Sequence, residues 1–168
     1  MTDPSDTDRF RDWLERHGDI PRRIACLYAG TEADRADLRQ DMLIQLWRSA
    51  TRFDARCSAK TWIYRVCLNT ALTWRRSETR RRRYLGATTT PDELRSIPSD
   101  STDRDRTELL YAAIARLDRL ERSLILLSLD GLSYREMSEI SGLTETNIGA
   151  HLTRSRRRLA RIIEEIDP

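Results

Sequence analysis

The chain has 168 residues, 34% of them charged and 39% hydrophobic, with a formal net charge of +3. That length suits one modest domain or two small ones, and the polarity excludes a membrane protein. No early apolar segment resembles a signal peptide, and no run approaches the roughly 20 residues of a spanning helix, which points to a cytoplasmic location.

The basic residues are nearly all arginine, Lys60 being the only lysine among 30. Their placement says more than their total. Clusters over 75–83 and 154–161 suggest two contact regions on an anionic partner. Cys26, Cys57 and Cys67 are odd in number and lack CxxC spacing, and His17 and His151 are the only histidines. Buried reduced thiols are expected, with no metal site or disulfide framework.

Strand signals are scarce and helix punctuation is frequent. Ser5 to His17 predicts a short amphipathic helix carrying Phe10, Trp13 and Leu14, stopped by Gly18. Asp19 restarts a helix with Pro21 near its first turn, and Gly30 ends it. Thr31 then caps a longer segment to about Arg52, with Leu38, Met42, Leu43, Leu46 and Trp47 at helical spacing. Its polar face holds Glu32, Asp34, Asp37, Gln40, Asp41 and Gln45. Such a run is either a solvated face or a docking surface for a basic or amide-rich protein, and spacing alone leaves both open. Residues 52–57 form a short connection.

Ser58 is placed to cap the next helix, which runs to Arg83. At about 100° per residue, Ala59, Trp62, Ile63, Val66, Cys67, Thr70 and Trp74 share one face, suited to core packing. Tyr64, Arg65, Leu68, Asn69, Leu72, Arg75 and Arg76 fall on the other side. Rings, an amide and phosphate-seeking arginines are what binding an opened nucleic-acid strand requires. A core helix with a solvated basic end is the equal alternative on this stretch alone.

Composition shifts from Gly86 to about Ser101, where Pro91, Pro98 and several Ser and Thr replace large apolar residues. This predicts a linker, acidic through Asp92, Glu93, Asp100, Asp103 and Asp105. Thr102 to Leu117 supplies a helix. Asp118 with Glu121 starts another, ended by Asp130-Gly131, and Ser133 with Glu136 forms a capping box for a short helix to Ser141. Gly142-Leu143-Thr144 is a tight turn into a last helix to about Glu165. Leu132 to Ile148 therefore reads as a helix-turn-helix with Met137, Ile140, Leu143, Ile148 and Leu152 as its small core. Thr146, Asn147, Ala150, His151, Arg154 and Arg158 lie opposite the apolar stripe. Asn can pair with adenine and Arg with guanine or phosphate; a helical hairpin that binds protein is the plainer reading. There is no Gly-rich phosphate loop, HExxH or nucleophile elbow, so nothing points to an enzyme.

The order of DLRQDMLIQLWR, then RFDARCSAKTWIYRVCLNTALTWRR, a linker, and GLSYREMSEISGLTETNIGAHLTRSRRRL resembles the bacterial extracytoplasmic-function (ECF, group IV) sigma factors of the sigma-70 family. The resemblance spans roughly Asp19 to Ile163. Response-regulator output domains share a pattern like the C-terminal one; the TWIYRVCLNTAL stretch upstream makes the match specific. It implies an all-α protein of two small helical domains, a sigma2-like bundle over 1–85 and a sigma4-like helix-turn-helix domain over 105–168. A flexible acidic linker over 86–104 would join them. The implied partners are core RNA polymerase, promoter DNA and an anti-sigma factor, with no cofactor or metal.

By matching motif, Asp37, Leu38, Gln40, Asp41, Leu46 and Trp47 would dock on the clamp helices of the largest polymerase subunit. Phe53 to Ala59 would be the loop receiving a base flipped from the −10 element, with Phe53 and Asn69 at its pocket. Arg56, Arg65, Arg75 and Arg76 complete the −10 set, the last three holding phosphates. The helix-turn-helix would read the −35 element through Thr146, Asn147, His151, Arg154, Arg156 and Arg157. Gly149-Ala150 stands where many relatives have a basic residue followed by Ser. A dimeric helix-turn-helix regulator acting without polymerase, or a helical protein-interaction module, are the alternatives.

Overall fold

Capping chemistry sets the element boundaries. The structure, a computed structural model of the chain, describes residues 4–84 and 102–167, with side chains at 5–78 and 106–167. All regular elements among the described residues are helical, and they form two compact units. The first holds α1 (Pro4–His17), α2 (Asp19–Tyr28), α3 (Glu32–Ser49), a 3-10 turn (Ala50–Arg52) and α4 (Ala59–Tyr84). The second holds α5 (Thr102–Ala115), α6 (Arg119–Leu129), α7 (Tyr134–Ser141) and α8 (Glu145–Ile166). The predicted linker lies outside the described residues up to Ser101; its last positions, 102–104, already belong to α5.

In the first unit, the Thr31 hydroxyl accepts the Asp34 amide at 3.1 Å, and Ser58 accepts that of Thr61 at 3.1 Å. Both satisfy amide donors that a helix start leaves without an intrahelical partner. Helices α2, α3 and α4 pack on one another. Ile20, Ile24 and Leu27 meet Leu38, Met42 and Leu46, and α4 adds Ile63, Tyr64, Cys67, Leu68 and Ala71, all buried. Each large side chain removed from water contributes about 1.5–3 kcal/mol, so this three-helix seam is the unit's main stabilising feature.

The face predicted for α4 needs correction. Its buried stripe contains Tyr64 and Leu68, which were expected on the outer side, while Trp62, Val66, Thr70 and Trp74 are only half-buried. Two partners, α2 and α3, turn the helix so that the seam centres between Ile63 and Tyr64. Tyr64 tolerates burial because its hydroxyl is 3.3 Å from an Arg23 guanidinium nitrogen. The cysteines also differ from expectation. Only Cys67 is buried, and burial pushes its thiol pKa well up; Cys26 and Cys57 are half-buried.

The second unit is built on reciprocal caps. Asp118 and Glu121 exchange side-chain-to-backbone hydrogen bonds of 2.9 and 3.2 Å, and Ser133 and Glu136 do the same at 3.3 and 2.8 Å. Gly142 closes α7 in the left-handed region at φ 75°, where a side chain would be strained. Thr144 caps α8 through the Asn147 amide at 3.3 Å. Ile148, Leu152, Ser155, Leu159 and Ile162 form the buried stripe of α8. Arg122 is buried as well, donating to the carbonyls of Ala115 and Leu117 at the end of α5. Those helix-end carbonyls carry partial negative charge, which suits a buried guanidinium.

Candidate nucleic-acid and polymerase interfaces

Side chains four residues apart on a helix form a row, and two facing rows form a groove. Asp41, Gln45 and Ser49 make such a row on α3. Val66, Asn69, Thr70 and Thr73 make one on α4, with Trp74 at its end. Arg52 closes the space from the 3-10 turn, and the groove between them measures about 510 Å³. Its size is that of a small-molecule site. The lining offers two amides, hydroxyls, a carboxylate and a guanidinium, with one indole ring. Such groups can pair with the edges of a single unstacked nucleobase and its phosphate.

Of the six residues predicted for −10 contact, only Asn69 lines this groove. Phe53 stands behind it. The Phe53 ring is wedged edge-on between Trp13, at 5.3 Å, and Trp62, at 5.6 Å, which makes it a structural spacer and not a free stacking surface. The Trp62 indole N–H donates to the Ser49 hydroxyl at 3.1 Å, and that hydroxyl donates to the Leu46 carbonyl at 2.9 Å. Arg65 lies over the Trp62 ring at 5.8 Å. Arg56 is exposed and paired with Asp54 at 3.1 Å. Arg75 is half-buried and Arg76 exposed; the side chains of Arg80 to Arg83 lie outside the described set. Ser49, Arg52, Thr70 and Thr73 were missed by motif matching. The four-residue spacing of 41, 45 and 49, of 66 and 70, and of 69 and 73 was the signal that could have found all of these but Arg52, which lies on no such row.

The loop from Phe53 to Ser58 is preset. Asp54 Oδ1 accepts the Arg56 amide at 3.2 Å, a side-chain turn, and Ala55 sits at φ 60°. A left-handed alanine costs about 1–2 kcal/mol and persists only where its surroundings hold it.

On α3, Asp37, Gln40, Asp41 and Trp47 are exposed as a docking face requires, Trp47 at 43%. Leu38 and Leu46 are not. They are 0% and 1% exposed and pack into the three-helix seam, so they hold the helix in place and leave no surface for polymerase. Ile44, 38% exposed, was overlooked and joins Trp47 as an apolar pair among the carboxylates.

In the second unit, Thr146, Asn147, Arg154 and Arg157 are exposed and His151 is half-buried along one side of α8, while Arg156, also exposed, lies on the other flank of the buried stripe. His151 Nδ1 lies 3.3 Å from Arg154. Arg156 is drawn back to the Ser128 hydroxyl at 2.9 Å, and Arg158 pairs with Glu121 at 2.9 Å. The first is therefore less available for DNA than Arg154. A Cβ at Gly149 would lie 3.4 Å from the Tyr134 ring of α7, about an ordinary van der Waals contact, so that ring does not require a glycine on α8.

Comparison with known proteins adds the following. Residues 7–81 match the family described as Sigma-70 region 2, and residues 107–159 the one described as Sigma-70, region 4. The chain is 28% identical to the RNA polymerase sigma factor NccH of Alcaligenes xylosoxydans xylosoxydans, over 98% of each. It is 23% identical to the ECF RNA polymerase sigma factor SigE of Mycolicibacterium smegmatis, over 87% of this chain and 58% of that one. In fold it is similar to the sigma factor RpoE solved with the anti-sigma factor NepR from Bartonella quintana. That likeness has a TM-score of 0.78 at 20% identity, over 95% of this chain and 99% of the other.

Proposed function

The chain belongs to the sigma-70 family of RNA polymerase sigma factors, in its extracytoplasmic-function group, and from that premise we propose how its two units divide the work. It is a sigma factor: it directs core RNA polymerase to promoters and assists their melting. Sigma factors are initiation factors rather than enzymes. With no bond to hydrolyse, such a protein opens DNA only by capturing bases that have already unstacked. Extrusion costs a few kcal/mol, and a pocket with stacking worth about 1–3 kcal/mol per base offsets much of it.

The groove between α3 and α4 is the receptor for that base. Asn69 reads its edge, Arg52 and the arginines of α4 hold the flanking phosphates, and the preset loop from Phe53 to Ser58 bounds the site. The observation that supports this reading is the convergence of Asn69 and Arg52 in one polar groove, beside a strained loop. Ile44 and Trp47, ringed by Asp37, Gln40 and Asp41, dock on the polymerase clamp. In the second unit Asn147, His151 and Arg154 enter the major groove of the −35 element, with Thr146 and Arg157 at its margin.

The domains divide at 1–85 and 102–168, with the acidic segment 86–101 threading the polymerase between them. A sigma factor works where the polymerase is, in the cytoplasm, and no helix among the described residues is long and apolar enough to cross a membrane. RpoE was solved bound to an anti-sigma factor, and a partner of that kind holds this chain inactive until its signal arrives. Run-off transcription with core polymerase over a genomic promoter library tests the whole scheme. Sigma-dependent transcripts sharing −10 and −35 sequences are expected; their absence with active core would refute it.

A further inference from the structure

Phe53 and the turn before it are gripped from α1. Arg9 Nη1 donates to the Ala50 carbonyl at 2.6 Å and to Asp6 Oδ1 at 3.1 Å, and the guanidinium lies over the Phe53 ring at 5.9 Å. Asp6 is itself only 8% exposed, so a buried carboxylate sets the direction of the arginine fork. Trp13, one turn further along α1, meets the same Phe53 ring edge-on at 5.3 Å.

The position of Ala50 gives this grip its meaning. Ser49 precedes it and Arg52 ends the turn that it begins, and both line the groove, whereas no residue of α1 does. Arg9 therefore holds the wall of the groove without being part of it. The loop that follows carries Ala55 at φ 60°, a conformation that needs external support. Arg9, Trp13 and Trp62 supply that support through Phe53.

We infer that Arg9 is a positioning residue for the base-receiving groove: it sets the reach of Arg52 and the path of the loop, and so governs which base is accepted. This rests on the groove reading proposed above. A merely stabilising arginine would, when removed, lower binding to all promoters in proportion. A positioning arginine changes the ratios among bases, because the geometry of the wall changes while its chemistry does not.

The test uses holoenzyme assembled from the full chain and core polymerase, with core saturated by sigma. It captures premelted fork-junction DNA randomised across the −10 segment, and the bound fraction is sequenced. Arg9→Ala is expected to reduce the preference for the favoured base by about tenfold, the scale of one charge-assisted hydrogen bond. Arg9→Lys restores most of it, since an ammonium still reaches the Ala50 carbonyl, and Asp6→Asn falls between. If Arg9→Ala does not fold, the Arg9→Lys and Asp6→Asn variants decide: a partial loss in Asp6→Asn supports the inference. Unchanged preference in the folded Arg9 and Asp6 variants, alongside a loss in Asn69→Ala, overturns the inference and leaves the groove reading standing. Unchanged preference in Asn69→Ala as well overturns the groove reading and the inference together.

Discussion

Asn69 is exposed, and that separates its function from its fold. Its side chain is exposed in the groove, while its backbone carbonyl accepts the Thr73 hydroxyl at 2.9 Å, a contact that any residue at 69 would keep. Asn69→Ala should therefore leave the melting temperature and core affinity nearly unchanged. Open-complex formation should fall by about tenfold, since a paired amide is worth on the order of 1–3 kcal/mol. Permanganate reactivity of the promoter measures the second quantity, and a collapse of the fold instead would mark the residue as structural. Gly149 is the opposite case. A methyl group there meets only the Tyr134 ring, itself 42% exposed and able to move. Gly149→Ala should stabilise the second unit by up to about 1 kcal/mol through helix propensity, seen as a raised urea midpoint.

At the scale of elements, α3 carries two occupations on two faces. Trp47→Ala should weaken core binding by about 2 kcal/mol, roughly thirtyfold, with little change in stability. Leu46→Ala, one residue away, should do the reverse and destabilise the first unit by about 2–5 kcal/mol. Parallel urea unfolding and core titration distinguish them, and equal effects on both readouts would contradict the division of faces. These helices were legible in the sequence wherever the deciding interaction is local. Thr31, Asp118, Ser133 and Thr144 reach amides three residues on, so the caps and their order follow from spacing alone. The rotation of α4 was not legible. Apolar residues run around more than half of that helix, and only the placement of α2 and α3 decides that Tyr64 goes inward and Trp62 stays at the edge.

For the whole molecule, motif order was enough to identify the family, because two short patterns on either side of a linker restrict the choice more than either alone. The groove was only partly visible. Asn69 stands in a recognisable motif and Ser49 in a four-residue row, but Arg52 reaches the site through a turn whose geometry depends on distant side chains. A sigma factor whose two units act together on polymerase should bind promoter duplex weakly by itself. In a gel shift, specific complexes are expected only with core present. Tight binding of a palindromic duplex by the isolated chain would favour the dimeric regulator instead.

The bond from Arg9 to Ala50 crosses 41 residues of chain. During synthesis α1 is made well before its principal anchors, Ala50 and Phe53, which are still untranslated when it emerges. At about 5–20 residues per second the first helix waits several seconds for them. Helix α1 thus cannot settle until the turn and loop at 50–53 have been made, and ribosome pausing before residue 53 would prolong the interval in which Trp13 stays uncovered.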